Sequence, residues 1–245
     1  MRFSIRATLV LASLGCVVGG CAANDQSLAI VHFVALEANM CVADPTSMNI
    51  RGRGIIDVGA VKAGASGYVA APVVQNLLPA DTTSTGVDVN GMFVKAFDVK
   101  INDSRVPGGF HNFRQPVAAG YLASGGTNRA AASFEILPRE AVIGLTGLNL
   151  VVGALPSGPP IVVSVRPVVT RASLELVGAY VDFPIDVCDG CVLFNAGTCL
   201  IDPTSKLSVA PATGTNTKES VCNRAQDHST ACCTATMPPG ELCSG

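Results

Sequence analysis

The chain has 245 residues, a formal net charge of −2 at pH 7 and only 14% charged residues. It contains no run of basic residues, so it lacks the electrostatic footprint of nucleic-acid binding proteins. Beyond the N-terminus there is no stretch of about 18 uninterrupted apolar residues, so we expect no second membrane-spanning helix.

The N-terminus has the features of an export signal. A basic segment, 1–6, precedes an apolar segment, 7–18, that is too short to remain as a membrane-spanning helix. Val18-Gly19-Gly20-Cys21 then resembles the lipobox of bacterial lipoproteins, whose cysteine is acylated and becomes the new N-terminus. We therefore expect residues 1–20 to be a lipoprotein signal peptide and Cys21 to carry the lipid. Cleavage as an ordinary secretory signal at Ala22 or Ala23 is the alternative, and Ser13-Leu14-Gly15-Cys16 is a poorer second lipobox candidate.

The residue after Cys21 indicates the destination of the protein. In lipoproteins of two-membrane bacteria this residue helps to sort the protein, and Ala22, rather than Asp, implies the outer membrane by that resemblance. The expected localisation is therefore that of an exported outer-membrane lipoprotein, facing the periplasm or the cell surface. Its contact with the membrane is expected to run through the N-terminal lipid.

The segment 21–187 shows the patterns of β-strands. Apolar and polar residues alternate, as in half-buried antiparallel strands, in four segments: 55–60, 97–102, 134–136 and 181–187. Two more continuously apolar segments, 69–78 and 161–169, predict central strands, although Pro72 and Pro167 restrict how these can pair. Asn90-Gly91 predicts a hairpin turn between strands at 87–89 and 92–94.

Helical patterns are few. One short helix is predicted from Leu137 to Val142, with Pro138 in its first turn. Glycine and proline interrupt the chain as often as the turns of a sandwich require. We predict an all-β protein: an antiparallel, immunoglobulin-like β-sandwich over residues 21–187, with a short N-terminal tether, followed by a disulfide-rich, loop-dominated module over residues 188–245.

The ten cysteines are unevenly distributed. Apart from Cys16 and Cys21, one stands alone nearer the N-terminus and seven lie in the C-terminal module: Cys41, then Cys188, Cys191, Cys199, Cys222, Cys232, Cys233 and Cys243. Once Cys16 leaves with the leader and Cys21 is acylated, these eight can form four disulfides. Because seven is odd, full pairing requires one bond from the module back to Cys41. Eight cysteines allow 105 pairings, so the connectivity stays open.

The order of these features resembles a known group of proteins. After the lipobox and Cys41 come Gly-Ile-Ile-Asp-Val at 54–58 and Gly-Tyr-Val-x-x-x-Val-Val-x-Asn-Leu-Leu at 67–78. The module then carries Cys188-x-x-Cys191, Cys222-x-x-x-Gln226-Asp227 and Cys232-Cys233. This order resembles that of uncharacterised cysteine-rich lipoproteins of myxobacteria-like proteobacteria. The resemblance implies the same localisation and no particular activity.

Cys188-x2-Cys191 has two further interpretations. Such a pair is a common half-site for zinc, but a second Cys-x2-Cys is missing and an oxidising compartment favours disulfides. His228 is a possible nitrogen ligand, although a lone histidine in such a module is typical of a polar loop. A thioredoxin-type redox pair would lie at a helix N-terminus, whereas this pair follows a predicted strand. A structural disulfide is preferred, and no metal or cofactor is predicted.

Common catalytic motifs are absent from the sequence. Of the remaining histidines, His32 is predicted to lie on a strand and His111 in a loop. A weak calcium site is conceivable from hard oxygen ligands near strand ends, although these lack the regular spacing of a calcium loop: Asp88, Asn90, Asp98, Asn102 and Asp103. No catalytic residue is predicted.

These observations favour a non-enzymatic, lipid-anchored protein of the cell envelope. Its role is expected to be structural, binding or adhesive, toward a protein or surface partner that the sequence does not identify, and not toward nucleic acid. An extracellular hydrolase with an unrecognised site is the first alternative. A metal-binding envelope protein is the second.

Overall fold

A computed structural model describes most of the chain between residues 27 and 241. The described ranges are 27–37, 41–80, 86, 88–118, 120–126, 128–151, 156, 158–198, 200–201, 208–209, 226–227, 230–236 and 239–241. For the strands from residue 193 onward, the description covers the backbone and not the side chains. The expected signal peptide and Cys21 lie outside them. None of the helices within these ranges combines the length and the apolar character needed to cross a membrane.

The described part of the chain is built mainly of short strands. In chain order they are β1 (Leu28–Val34), β2 (Ile50–Arg51), β3 (Gly54–Asp57), β4 (Tyr68–Asn76), β5 (Met92–Ile101), β6 (Asn112–Pro116), β7 (Tyr121–Leu122), β8 (Arg129–Ala131), β9 (Phe134–Leu137), β10 (Ile161–Arg171), β11 (Leu174–Val177), β12 (Val181–Cys188), β13 (Leu193–Thr198), β14 (Leu200–Ile201), β15 (Ser208–Val209), β16 (Thr230–Thr236) and β17 (Pro239–Glu241). The helices are α1 (Val58–Lys62), α2 (Arg139–Ile143) and a 3₁₀ turn at Gly108–Phe110.

Two sheets make up the main body. The first sheet has the order β2-β1-β4-β8, and β9 also pairs with β4. The second has the order β3-β12-β10-β5-β6, with β11 on β10 and β7 on β5. Within these two sheets every pairing is antiparallel except that of β3 with β12, which is parallel. The all-β class predicted from the alternation is confirmed.

The two sheets share one apolar core, and aromatic rings join them. The Phe33 ring of the first sheet lies 4.7 Å, centroid to centroid, from the Phe183 ring of the second, and the Tyr68 ring lies 5.6 Å from the same ring. Phe97 stacks on Phe134 at 4.8 Å. All five rings are buried. Since a buried side chain of this size contributes roughly 1.5–3 kcal/mol, these contacts hold the sheets together.

The strand predictions hold for most of the main body. The alternating segments 97–102, 134–136 and 181–187 correspond to β5, β9 and β12. The two continuously apolar segments correspond to β4 and β10, and each is central in its sheet. The two prolines are accommodated within these strands, Pro72 opposite Phe33 and Pro167 opposite Phe97. The predicted helix is present as α2, with Pro138 at its N-cap.

The predicted strand at 55–60 is wrong in its second half. The strand β3 ends at Asp57, and α1 begins with Val58. The Asp57 carboxylate accepts a hydrogen bond from the Ala60 N–H at 3.2 Å and thereby caps the helix. Ile56, Val58 and Ala60 are all buried, but so are Asp57 and Val61, so burial does not alternate across the change of backbone conformation.

The predicted hairpin at Asn90-Gly91 is a turn without a first strand in the described part of the chain. The Gly91 N–H donates to the Asp88 carbonyl at 3.2 Å, and β5 follows directly. The Asp88 carboxylate accepts from the Asn90 N–H at 3.0 Å, which closes the turn locally. The Asp88 side chain therefore supports the turn from within it.

The C-terminal module contains more regular structure than the predicted loops. β13 pairs in parallel with β16, β16 pairs with β17, and β14 pairs with β15. The main body meets the module at β12, whose last residue is Cys188. The boundary predicted after Val187 thus falls at the end of a strand of the second sheet.

Candidate functional site

A buried carboxylate marks the corner where the main body meets the C-terminal module. Asp57 is fully buried, and one of its oxygens, Oδ1, accepts from the Gly190 N–H at 2.9 Å. Its other oxygen, Oδ2, accepts from the Val192 N–H, also at 2.9 Å. Because burying a charged group is costly without such partners, these bonds are strong determinants of the loop position. One side chain therefore caps α1 and holds the loop that follows β12.

That loop carries a disulfide between Cys188 and Cys191, whose Cα atoms are 5.9 Å apart. Gly190, between them, has a φ of +71°, which favours glycine. Cys188 is only 1% exposed and lies opposite Asp57 in the parallel register of β3 and β12, whereas Cys191 is half-buried. The bond agrees with the disulfides expected in this module.

The side chains of Asp57, Cys188 and Cys191 converge. One carboxylate oxygen and both sulfurs lie within 4.8 Å of one another, and the described residues contain no other such group of three histidine, cysteine or acidic side chains. The Cys188-x2-Cys191 pair is evident in the sequence. The role of Asp57 is not, because the hydrogen-bond partners of Asp57, Gly190 and Val192, lie 133 and 135 residues away along the chain.

Cys41 is also disulfide-bonded, and its φ of +54° is unusual for a residue other than glycine. Its partner is a cysteine whose side chain is not described, so the pairing with the C-terminal module stays a prediction. Cys199, Cys222 and Cys243 lie outside the described residues, and Cys232 and Cys233 lie on β16, where the backbone alone is described.

Two residues of the module, Gln226 and Asp227, fasten it to both sheets. The Gln226 amide group accepts from the Val69 N–H at 2.7 Å and donates to the Val69 carbonyl at 2.8 Å. The Asp227 carboxylate accepts from the Ile55 N–H at 2.9 Å and from the Tyr68 hydroxyl at 2.8 Å. Ile55 belongs to β3 of the second sheet, and Tyr68 and Val69 belong to β4 of the first. We call these five residues the clasp.

Burial strengthens the clasp. Tyr68 is 1% exposed, and burial, followed by the neighbouring Asp227, raises the pKa of the Tyr68 hydroxyl far above its usual range. The hydroxyl therefore stays protonated and donates. Gly54 is required beside it, because a Cβ at that position would overlap the Tyr68 ring. The backbone of Asp227 adds a bond from its N–H to the Ile55 carbonyl at 3.0 Å.

The three aspartates considered for calcium, Asp88, Asp98 and Asp103, form no common cluster of carboxylates among the described residues. The Asp88 carboxylate accepts from the Tyr121 hydroxyl at 2.9 Å and from the Ser124 N–H at 2.8 Å. The Ser124 N–H is the main cause that lowers the pKa of Asp88, to about 2. Asp103 instead pairs with Arg105, two residues along the chain. Each carboxylate is thus engaged by its own local donors.

Asp98 lies on the outer face of the second sheet and pairs with two arginines. Its carboxylate accepts from Arg114 at 2.6 Å and from Arg166 at 2.9 Å. Glu175 accepts a further bond from Arg114 at 2.8 Å and is also paired with Lys95 at 3.3 Å. We call these five residues the outer network. Both of its carboxylates are paired with arginine or lysine side chains.

Two of the three histidines, His32 and His111, lie in the predicted elements. His32 lies on β1, where burial, followed by Arg129, lowers its pKa and favours the neutral ring. Its Nε2 is buried without a hydrogen-bond partner in the described structure. His111 follows the 3₁₀ turn, and its Nε2 lies 3.0 Å from the Val106 carbonyl oxygen. His228 lies outside the described residues.

A shallow groove of about 360 Å³ lies between the outer strands of the two sheets. It is lined by β6 and the residues after it, by the end of β8 with the residues up to β9, and by Val42 and Ala43. The lining carries no charged residue. Pro116 at the end of β6 lacks an N–H, so this edge is poorly suited to pairing with an added strand.

Together, the fold and the corner define an all-β protein whose C-terminal module is fastened to two sheets by a disulfide loop and a clasp. No known protein family, curated protein or solved structure matches the chain.

Proposed function

We propose that this chain is an exported, lipid-anchored protein of the cell envelope with a structural, binding or adhesion role and no catalytic activity. In this proposal the two sheets form an immunoglobulin-like sandwich, and acylated Cys21 anchors the protein in the outer membrane. The lipobox-like segment ending at Cys21 supports the anchor. The resemblance to cysteine-rich lipoproteins supports the same location.

One observation favours a structural or binding role over catalysis. The polar side chains at the corner, buried Asp57 and Tyr68 and half-buried Asp227, direct their hydrogen bonds to groups of the chain itself. A catalytic acid or base must instead reach a substrate. The corner is therefore suited to holding the C-terminal module in a fixed position on the sheets, as a rigid binding or scaffold protein requires.

The anchor is tested by membrane fractionation and intact-mass measurement of the protein from its native membranes. The wild-type protein is expected in the membrane fraction, with a diacylglyceryl-type adduct on a chain that begins at Cys21. Cys21→Ser is expected to lose both the adduct and processing before residue 21. Cys16→Ser, a matched change within the leader, is expected to alter neither. A Cys21→Ser protein that is processed and membrane-bound like the wild type would contradict the anchor.

The absence of catalysis is tested with the purified mature protein and generic ester and glycoside substrates. We expect no turnover above the blank. His111 is the described histidine in a loop, so His111→Ala is the informative variant if turnover is seen. Turnover that disappears in His111→Ala would replace the proposed role by that of a hydrolase.

A further inference from the structure

The convergence of Asp57, Cys188 and Cys191 has a chemical use beyond holding a loop. Zinc binds thiolates at about 2.3 Å and carboxylate oxygens at about 2.0–2.2 Å, so two ligands of one tetrahedral ion lie roughly 3.5–3.8 Å apart. The three ligand atoms here lie within 4.8 Å of one another, and the two bonded sulfurs can move apart to that spacing once the disulfide is reduced. Asp57 and Cys188 are buried, and Cys191 is half-buried, so the group has one open side.

The disulfide is not needed to keep this loop in place. It closes a loop of only four residues, and the shortest loops gain the least from cross-linking in the chain-entropy model. The Asp57 carboxylate independently binds the Gly190 N–H and the Val192 N–H. Cys188 is also held in β12 by its pairing with β3. The loop is therefore expected to keep its position when the sulfur–sulfur bond is broken.

We propose that reduction of the Cys188–Cys191 disulfide turns this corner into a binding site for a thiophilic divalent cation such as Zn²⁺, with Cys188, Cys191 and Asp57 as three of its ligands. A dithiol supplies two electrons and two protons, becomes a cyclic disulfide, and leaves two cysteine thiols. The cation then displaces both thiol protons to solvent and forms two bonds to sulfur and one to oxygen. Water completes the tetrahedron at the open side.

Electrostatics favours the cation over the empty reduced site. Without a cation the two cysteines stay thiols, because two thiolates beside the buried Asp57 carboxylate would repel it and one another, whereas a divalent cation neutralises most of that charge once the protons leave. Asp189, between the two cysteines, places a further carboxylate beside Gly59 and so adds negative charge at the corner. Soft sulfur ligands select Zn²⁺ over Mg²⁺ or Ca²⁺, which prefer oxygen. This site does not depend on the lipid anchor or on the proposed role in the envelope.

The experiment measures thiol protection residue by residue, because the other cysteines also become reduced. The mature protein is reduced anaerobically with dithiothreitol, freed of reductant, mixed with Zn²⁺ or Mg²⁺, alkylated with iodoacetamide and mapped by peptide mass spectrometry. We expect Zn²⁺, and not Mg²⁺, to protect Cys191 and Cys188 from alkylation.

Asp57→Asn should raise the zinc concentration that half-protects Cys191 at least about tenfold, since even supporting residues of metal sites contribute that much to metal affinity. Asp98→Asn, a matched change in the outer network, should leave it unchanged.

Two results of the alkylation experiment would overturn the proposal: no zinc protection of Cys191 in the wild-type protein, or half-protection at the same zinc concentration in Asp57→Asn and the wild type. A second measurement needs no variant, in case Asp57→Asn does not fold. X-ray absorption at the zinc edge of the reduced wild-type protein with one equivalent of Zn²⁺ should show two sulfurs at about 2.3 Å together with oxygen at about 2.0–2.2 Å. A shell of four sulfurs would place the metal among other cysteines and reject this site.

Discussion

The corner and the outer network both depend on carboxylates, yet they differ in what the carboxylates hold together. At the corner, Asp57 and Asp227 accept mainly from backbone N–H groups of distant segments, and Asp57 is completely buried. In the outer network, Asp98 is shared by two arginines; its side chain is 13% exposed, whereas those of Arg114 and Arg166 are 44% and 32% exposed. The first arrangement fixes how segments pack. The second stabilises a solvated sheet face that its β-pairing already defines.

The two kinds of carboxylate differ in how much free energy of unfolding is lost when they are removed. A buried acceptor with backbone partners leaves unsatisfied donors behind when it is removed, and each costs about 1–3 kcal/mol. An exposed ion pair exchanges its partner for water and contributes about 0–1 kcal/mol. The two regions should therefore respond very differently to similar substitutions.

The largest effect is expected for Asp57→Ala. The change removes the acceptor of three N–H groups, those of Ala60, Gly190 and Val192. We expect a loss of at least about 3 kcal/mol in the free energy of unfolding, measured by urea denaturation of the oxidised protein. Asp98→Ala is the matched control and should cost clearly less. Equal losses in the two variants would remove the distinction between the regions.

Asp227→Ala should have the next largest effect. It leaves the buried Tyr68 hydroxyl and the Ile55 N–H without their carboxylate partner, which is expected to cost about 2–3 kcal/mol. Hydrogen exchange should show the Ile55 amide losing protection while the Val163 amide, within β10, retains it. Tyr68→Phe combined with Asp227→Ala should cost less than the sum of the single changes, because the two groups are partners. Additive costs would indicate that the clasp does not act as a unit.

Acid should affect a third, solvent-facing carboxylate. The folded-state pKa of Asp88 is about 2, below its ordinary value of 3.8. Its contribution to stability is therefore complete above the unfolded value and is lost as the pH falls from about 4 through 2. Melting temperatures measured across this interval should fall less steeply in Asp88→Asn than in the wild type. Asp182→Asn, which removes a carboxylate that accepts from the Ser164 hydroxyl, is the control. Identical pH profiles of Asp88→Asn and wild type would contradict the prediction.

The smallest effect is expected for Arg114→Ala. Asp98 keeps Arg166 as a partner, and Arg114 itself is largely solvated. Burial raises the pKa of Asp98, but the hydrogen bonds from both arginines outweigh it and keep the pKa below its usual value. We expect a change within about 0.5 kcal/mol, which shrinks further at high salt. A loss comparable to that of Asp227→Ala would show that the outer network also controls packing.

The predictions of β5, β9, β12 and α2 were confirmed because they depend on residues that are close in sequence. The alternation of β5, β9 and β12 follows from the period of two in an extended backbone, and the first turn of α2 follows from Pro138. These properties depend on residues a few positions apart. The same alternation led to a wrong prediction at residues 58–60, which form the start of α1. Asp57 ends β3 and caps this helix, while the apolar residues on both sides of it stay buried.

The sequence by itself determined the all-β class, the central position of β4 and β10, and a cysteine-rich module after β12. Only the tertiary structure decided what Asp57, Gln226 and Asp227 do. The clasp partners of Gln226 and Asp227 lie 157 to 172 residues away along the chain. No local periodicity encodes such contacts, because they arise only when the two sheets have packed and bring β3 and β4 to the same corner.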